Sequence, residues 1–448
     1  MGACTMRGRL LPILLAGLLS QPVWADDLLS LYRDARVSDA TYLAAKADSD
    51  AMREALPQAR GQLLPNISIN GVKSKNTTDQ TSQTIVGPRT VTYDYDSHNY
   101  SLVLKQPLFR PYNFALYAQS LDQVDSADAN QDQAGQELAM RLVAAYFDVL
   151  LARADLEVNE AQQKAFETQL SSAEKSFRAG VGTRTDVDEA RSSLDSARAQ
   201  AIELKYTLEY KLDALQVLVN RPLTPLATLN PERVQLQPPE PNNLEEWVKV
   251  AESLSPKLKA LQSSVSAAEK EVWKARSGHL PTVDLVAQRS KSESENNTSI
   301  GTSYDTSMIG VQVSIPVFSG GHTNSVVRQA QASLEKQRQQ LEAARREVRL
   351  MVRKQFDAAS QGVHWVRAYE LALKSAEQTL LSTRKGFQAG TRNNLDILNA
   401  EQAVANARRD LHRGRYQYVV ARLNLLGLVG RLDDQEMRHF NAWLESRP

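Results

Sequence analysis

The chain has 448 residues with 53 basic against 52 acidic side chains, and this balance leaves no electrostatic footprint for a nucleic-acid partner. Its one cysteine, Cys4, excludes a disulfide framework, so stability must come from packing. Arg7 and Arg9 precede an apolar run from Leu10 to Leu19 that closes at Val23-Trp24-Ala25, the pattern of an export signal removed ahead of Asp26. Cys4 lies ahead of that run, where no lipoprotein signal would place it. No later stretch approaches the roughly 20 apolar residues of a membrane-spanning helix, so entry into a membrane would have to be by strands.

Leu28 to Pro65 carries helical patterning and stops at a proline, after which Ile67 and Ile69 set a period of two. Asn76 to Pro88 is polar and is expected to be the turn-rich loop of a hairpin over 66–109. The return is marked by alternation at Val91, Tyr93 and Tyr95 and again at Tyr100, Leu102 and Leu104, ending in Gln106-Pro107-Leu108-Phe109. From about 112 to 178 no proline interrupts a run rich in Ala, Gln, Glu, Arg and Leu. Roughly 65 residues at about 1.5 Å each make a rod on the order of 100 Å long. Leu138, Leu142, Ala145, Val149, Ala152 and Leu156 give that rod a heptad seam. A helix over about 186–219 follows, and then a connector, 220–243, with six prolines.

The second half, 244–448, repeats this order. Leu244 to Pro281 ends in His279-Leu280-Pro281 as the first segment ends in Leu63-Leu64-Pro65, and Val283 and Leu285 restart the strand period. Lys291 to Ser303 is the polar interval, and Ile309, Val311, Val313 and Ile315 return to Pro316-Val317-Phe318, giving a hairpin over 282–318. A long helix over about 324–388, with Gly362 in its middle, and a shorter one over about 395–428 lead into the C-terminal segment.

The turn Phe177-Arg178-Ala179-Gly180 recurs 210 residues later as Phe387-Gln388-Ala389-Gly390. In each copy a Gly suits a helix C-cap, and a Thr or Asn offers an N-cap just before an Asp that favours the next first turn. Past each tip a seam with steps of 3, 4, 3, 4, 3, 4 runs through Val187, Ala190, Leu194, Ala197, Ala201, Leu204 and Leu208, and through Ile397, Ala400, Val404, Ala407, Leu411, Gly414 and Tyr418. Each half is therefore a long coiled-coil hairpin attached to a strand hairpin.

Four strands are too few to close a spanning barrel, and an open edge cannot sit in lipid. The barrel must be shared between chains. Aromatics near the expected strand ends, Tyr93, Tyr95, Tyr100, Phe109, Tyr112, Tyr304 and Phe318, suit a membrane-interface girdle.

With its two-fold internal repeat, its Leu-Pro turns into strands, its QPLF and IPVF turns out of them and its FxAG tips, the sequence resembles the TolC-type outer-membrane efflux and secretion channels over residues 26–430. The resemblance implies a mainly α fold with a small β part. Three chains would share a twelve-stranded barrel in the outer membrane and a twelve-helix periplasmic tunnel, belted by the connector and C-terminal segments. It also implies an exit duct for proteins or small toxic molecules, joined to a periplasmic adaptor and an inner-membrane ABC, RND or MFS transporter.

Carried over by motif, the periplasmic gate falls on Thr185, Asp186, Phe387 and Arg392, with Arg392 reaching Asp186 as the closing link. Asp396 stands at the constriction, where threefold symmetry would make a ring of three carboxylates that favours cations. Asn399, one turn on, would make a neutral second ring. Gly180 and Gly390 mark the tips where an adaptor would dock.

The six histidines are never three to five residues apart, and neither a Gly-x-Ser-x-Gly elbow nor a phosphate-binding loop is present. No catalytic, metal or cofactor site is expected. The alternative reading is an exported trimeric coiled-coil spacer or adhesin, which the duplicated, proline-bracketed hairpins disfavour.

Overall fold

The computed structural model describes residues 25–445, so the export signal read over 1–25 lies outside the described residues except for Ala25. Three short helices open the first half, α1 (Leu28–Ser38), α2 (Ala40–Arg53) and α3 (Ala55–Gly61). Strands β1 (Asn66–Thr84) and β2 (Gly87–Phe109) follow, then α4 (Pro111–Arg178) and α5 (Arg184–Val219). The connector holds β3 (Thr228–Leu229). In the second half α6 (Leu244–Leu254), α7 (Pro256–Arg276), β4 (Thr282–Glu293), β5 (Ser303–Ser314), α8 (His322–Gln388) and α9 (Asn394–Leu428) repeat the pattern, and α10 (Asp434–Asn441) and β6 (Leu444–Glu445) end it. At 68 and 67 residues, α4 and α8 are rods of about 100 Å. Among the described residues no helix is long and apolar enough to cross a membrane.

Four of the strands form one antiparallel sheet in the order β1-β2-β4-β5, with β1 and β5 as open edges. Cross-strand partners share a face, and the register puts Ile67 opposite Leu104, Leu104 opposite Ala287 and Ala287 opposite Ile309. Leu285 and Val311, and Val283 and Val313, continue the same apolar face, while the opposite face carries Ser68, Asn70, Ser101, Gln288 and Gln312. This apolar/polar alternation is that of a spanning barrel wall. Farther along the apolar face the residues turn polar, with Arg289 paired to Asp305 at 3.1 Å.

Two expectations about the strands are corrected. Asn76–Thr84 is strand rather than loop, and only Ile85 and Val86 separate β1 from β2. Polar side chains stabilise the projecting ribbon through facing pairs, Thr77 Oγ1 donating to Asp94 at 2.6 Å, Thr92 Oγ1 to Asp79 at 2.6 Å, and Thr81 with Thr90 at 2.9 Å. The girdle also divides. Tyr100 and Phe109 lie on the apolar face, whereas the period of two puts Tyr93, Tyr95 and Tyr304 on the polar one.

Below the sheet the helices pack in the lateral order α5, α4, α9, α8. The heptad seams are buried as their spacing requires: Leu138, Leu142, Val149 and Ala152 on α4, Val187, Ala190, Leu194, Ala197 and Ala201 on α5, and Ile397, Ala400, Val404, Leu411, Gly414 and Tyr418 on α9. Two mid-helix glycines permit close approach of α8 and α9. A Cβ at Gly414 would sit 2.8 Å from the Tyr369 ring, and one at Gly362 would sit 3.1 Å from that of Tyr418.

The main core lies halfway down, where the connector and the C-terminal segment cross the long helices. There β3 pairs with β6, Tyr146 Oη donates to the Ala227 carbonyl at 2.7 Å, and Tyr418 Oη donates to that of Gln237 at 2.7 Å. Arg221 grips Asp26 at 2.7 Å and Asp34 at 2.7 Å. Burial pushes the Asp26 carboxyl up, but hydrogen bonds from Arg221 and Thr224 outweigh it and leave the group below its ordinary 3.8. The charged form thus stabilises the fold above that pH, and the contribution is lost as pH falls below about 4. Proteolysis within 220–243 is expected to accelerate below about pH 4, and Arg221→Ala should give the same acceleration at neutral pH.

Candidate functional site: the paired hairpin tips

Both tips are built alike. Gly180 and Gly390 adopt φ of 73° and 77°, which a glycine tolerates without strain, and the Val181 and Thr391 amides donate to the carbonyls of Ser176 and Gly386 at 3.0 and 2.8 Å. Thr183 and Asn393 then start α5 and α9 with capping boxes. Asp186 accepts from the Thr183 amide at 2.9 Å and hydroxyl at 2.6 Å, and Asp396 from the Asn393 amide at 3.0 Å.

The two turns solve one packing problem in opposite ways. In the first, Gly182 lies against Ser176, and a Cβ on it would come within 3.0 Å of the serine Cβ. In the second, the equivalent positions are Gly386 and Arg392, and a Cβ on Gly386 would come within 2.8 Å of the arginine Cγ. The small residue has changed sides. Gly386→Ser is therefore expected to destabilise the second tip by about 1–3 kcal/mol. Adding Arg392→Gly, which rebuilds the first tip's arrangement, should restore most of it in a double-mutant cycle read by hydrogen exchange of the turn.

The ion pairs joining each hairpin also repeat. Arg198–Glu167 at 3.0 Å corresponds to Arg408–Glu377 at 2.8 Å, while Arg191–Glu174 at 3.1 Å returns with its charges exchanged as Arg384–Glu401. Between hairpins the seam is polar. Gln162 on α4 donates to Gln402 on α9 at 2.5 Å, Arg409 donates to Gln162 at 3.3 Å, and Gln169 donates to Asn394. Asn394, only 3% exposed, donates through Nδ2 to the Asp186 carbonyl at 3.0 Å and so ties the two tips together.

The site residues named from sequence take these places. Thr185 and Arg392 are exposed, and Asp186 and Phe387 are partly covered. Within the chain Arg392 does not reach Asp186. Its guanidinium pairs with Asp396 at 3.8 Å one turn away, while the Asp186 carboxylate is engaged in its own capping box. Asp396 and the exposed Asn399 share one side of α9. Gly180 and Gly390 are exposed at the ends of the rods, with open space around their Cα atoms. The tie made by Asn394 and the small-residue role of Gly386 were missed. The polar spacing of Asn159, Gln162, Gln163 and Gln169 along α4, interrupting an apolar seam, was the available signal.

The fold and the sequence both match known proteins. The profile of the outer membrane efflux protein family fits residues 31–221 and 247–431, one segment in each half. The chain belongs to this family. It is similar to the alkaline protease secretion protein AprF of Pseudomonas aeruginosa, 34% identical over 94% of this chain and 88% of the relative. It is also similar to the proteases secretion protein PrtF of Dickeya chrysanthemi, 32% identical over 94% of this chain and 92% of the relative. The outer membrane protein TolC of Escherichia coli is 30% identical over 98% of this chain and 90% of its own length. Among solved structures, Vibrio cholerae VceC superposes with a TM-score of 0.78 at 18% identity, covering 90% of this chain and 96% of that one.

The family member is thus an outer-membrane export channel, with its helical rods in the periplasm. It serves as the exit duct of an export system and not as a spacer or adhesin.

Proposed function

We propose that three copies close into a ring and pass proteins outward from an ABC-type transporter through a periplasmic adaptor. The observation that carries the ring is the agreement of its open flanks. One side of the protomer presents the free edge of β1 and the outer face of α5, where Ile202, Tyr206, Tyr210 and Val217 are 61–77% exposed. The other presents β5 and α8, with Leu350 and Leu371 more than 60% exposed. Each flank leaves backbone groups and apolar surface that only another protomer would satisfy.

In this ring Asp396 and Asn399 line the constriction, Thr185, Asp186, Phe387 and Arg392 belong to the gate, and the exposed turns at Gly180 and Gly390 meet the adaptor. Protein cargo is favoured over small molecules because AprF and PrtF bear protease secretion in their names and align along nearly the whole chain. RND or MFS partners belong to the efflux reading. Both are tested by expressing the protein with the ABC transporter and adaptor of a protease secretion system in a host that lacks its own outer-membrane duct. Protease in the medium supports the proposal. Restored drug resistance without secreted protease would transfer the chain to efflux.

A further inference from the structure

We propose that a cavity of about 450 Å³ between α4, α9 and the connector binds an amphipathic monoanion, a carboxylate or sulfonate on an apolar body. Its size falls in the range of small-molecule sites, about 300–1,000 Å³. The wall from the connector is apolar, with Leu226 and Leu229 beside Pro225 and Pro231, and Tyr416 continues it from α9. His412 stacks on Tyr416 with 6.3 Å between ring centres and 28° between planes. Burial, then Arg415 and Arg408, hold His412 below its ordinary value, so the imidazole is a neutral part of this wall.

The charge is supplied by two arginines from different hairpins. Arg415 is already held by Glu370 at 2.7 Å. Arg153, at the cavity rim on α4, has no ion pair or hydrogen bond among the described residues. A cation without a direct partner next to an apolar pocket fits a ligand with one anionic head and a hydrocarbon or aromatic body. Glu157, one turn along α4 and lining the same cavity, offsets one of the two arginines, so the lining carries one net positive charge and matches a single anionic head. None of these residues belongs to the tips, so the site stands apart from the gate.

The test uses the assembled protein in lipid nanodiscs, titrated with 4-phenylbutyrate and with the uncharged 4-phenylbutan-1-ol by saturation-transfer NMR. Saturable binding of the carboxylate, about one per chain, is expected, with the alcohol weaker and with Arg153→Gln lowering affinity about tenfold through the lost charge-assisted hydrogen bond. Thr228→Trp, which fills the cavity from the connector and leaves every charge in place, should also abolish binding. Absence of saturable binding to the wild type, or equal affinity in wild type and Arg153→Gln, would overturn the proposal.

Discussion

Replacing Asn394 with alanine is expected to increase the open probability of the channel in a planar bilayer at least tenfold, while Arg392→Ala has a much smaller effect. The asymmetry follows from burial. Asn394 is 3% exposed and makes two hydrogen bonds across the hairpins, one to the Asp186 carbonyl at 3.0 Å and one from Gln169. Each such bond contributes about 0.5–1.5 kcal/mol, and a buried group left without its partner costs about 1–3 kcal/mol. Threefold repetition multiplies the loss. Arg392, by contrast, pairs locally with Asp396 at 3.8 Å across one helical turn with its side chain 59% exposed, the setting in which ion pairs contribute roughly 0.3–0.5 kcal/mol. Single-channel recordings of both variants decide the matter. A large increase with Arg392→Ala and none with Asn394→Ala would show that the gate is held by contacts between protomers and not by the tie within each.

The double substitution Tyr206→Glu/Tyr210→Glu is expected to abolish assembly and leave folded monomers. Tyr206 and Tyr210 are 71% and 61% exposed on α5, one turn apart, in a stripe that continues to Ile202 and Val217. Burial of a large apolar side chain contributes about 1.5–3 kcal/mol, and carboxylates in its place would lose water without gaining a partner. Because neither side chain belongs to the protomer's own core, circular dichroism should retain full helicity while light scattering reports a monomer. A trimer of unchanged stability would place the α5 stripe on the lumen or the outer surface and remove it from the subunit interface.

Much of the architecture was legible in the sequence, for local reasons. Helix periodicity, caps and turn glycines act over three to seven residues, so Leu138, Leu142, Val149 and Ala152 announced the α4 seam and Gly180 and Gly390 announced the tips. Alternation in Ile67, Ile69, Leu102, Leu104, Val283, Leu285, Ile309 and Val311 likewise marked the four strands and their apolar face.

Features that depend on partners distant in the chain emerged with the packing. Asn76–Thr84 lacks apolar alternation, and its strand character comes from the facing side chains on β2. The same non-local pairing sets the register that divides the aromatic residues between the faces. At the tips, helix geometry paired Arg392 with Asp396 one turn away, while the Asp186 carboxylate closed its own capping box. Asn394 looked like an ordinary first-turn residue until α9 packed against α4 and brought the Asp186 carbonyl to its amide. The elements and their repetition thus follow from short-range periodicity in the amino-acid order, while the joints between hairpins were set by packing across more than two hundred residues of chain.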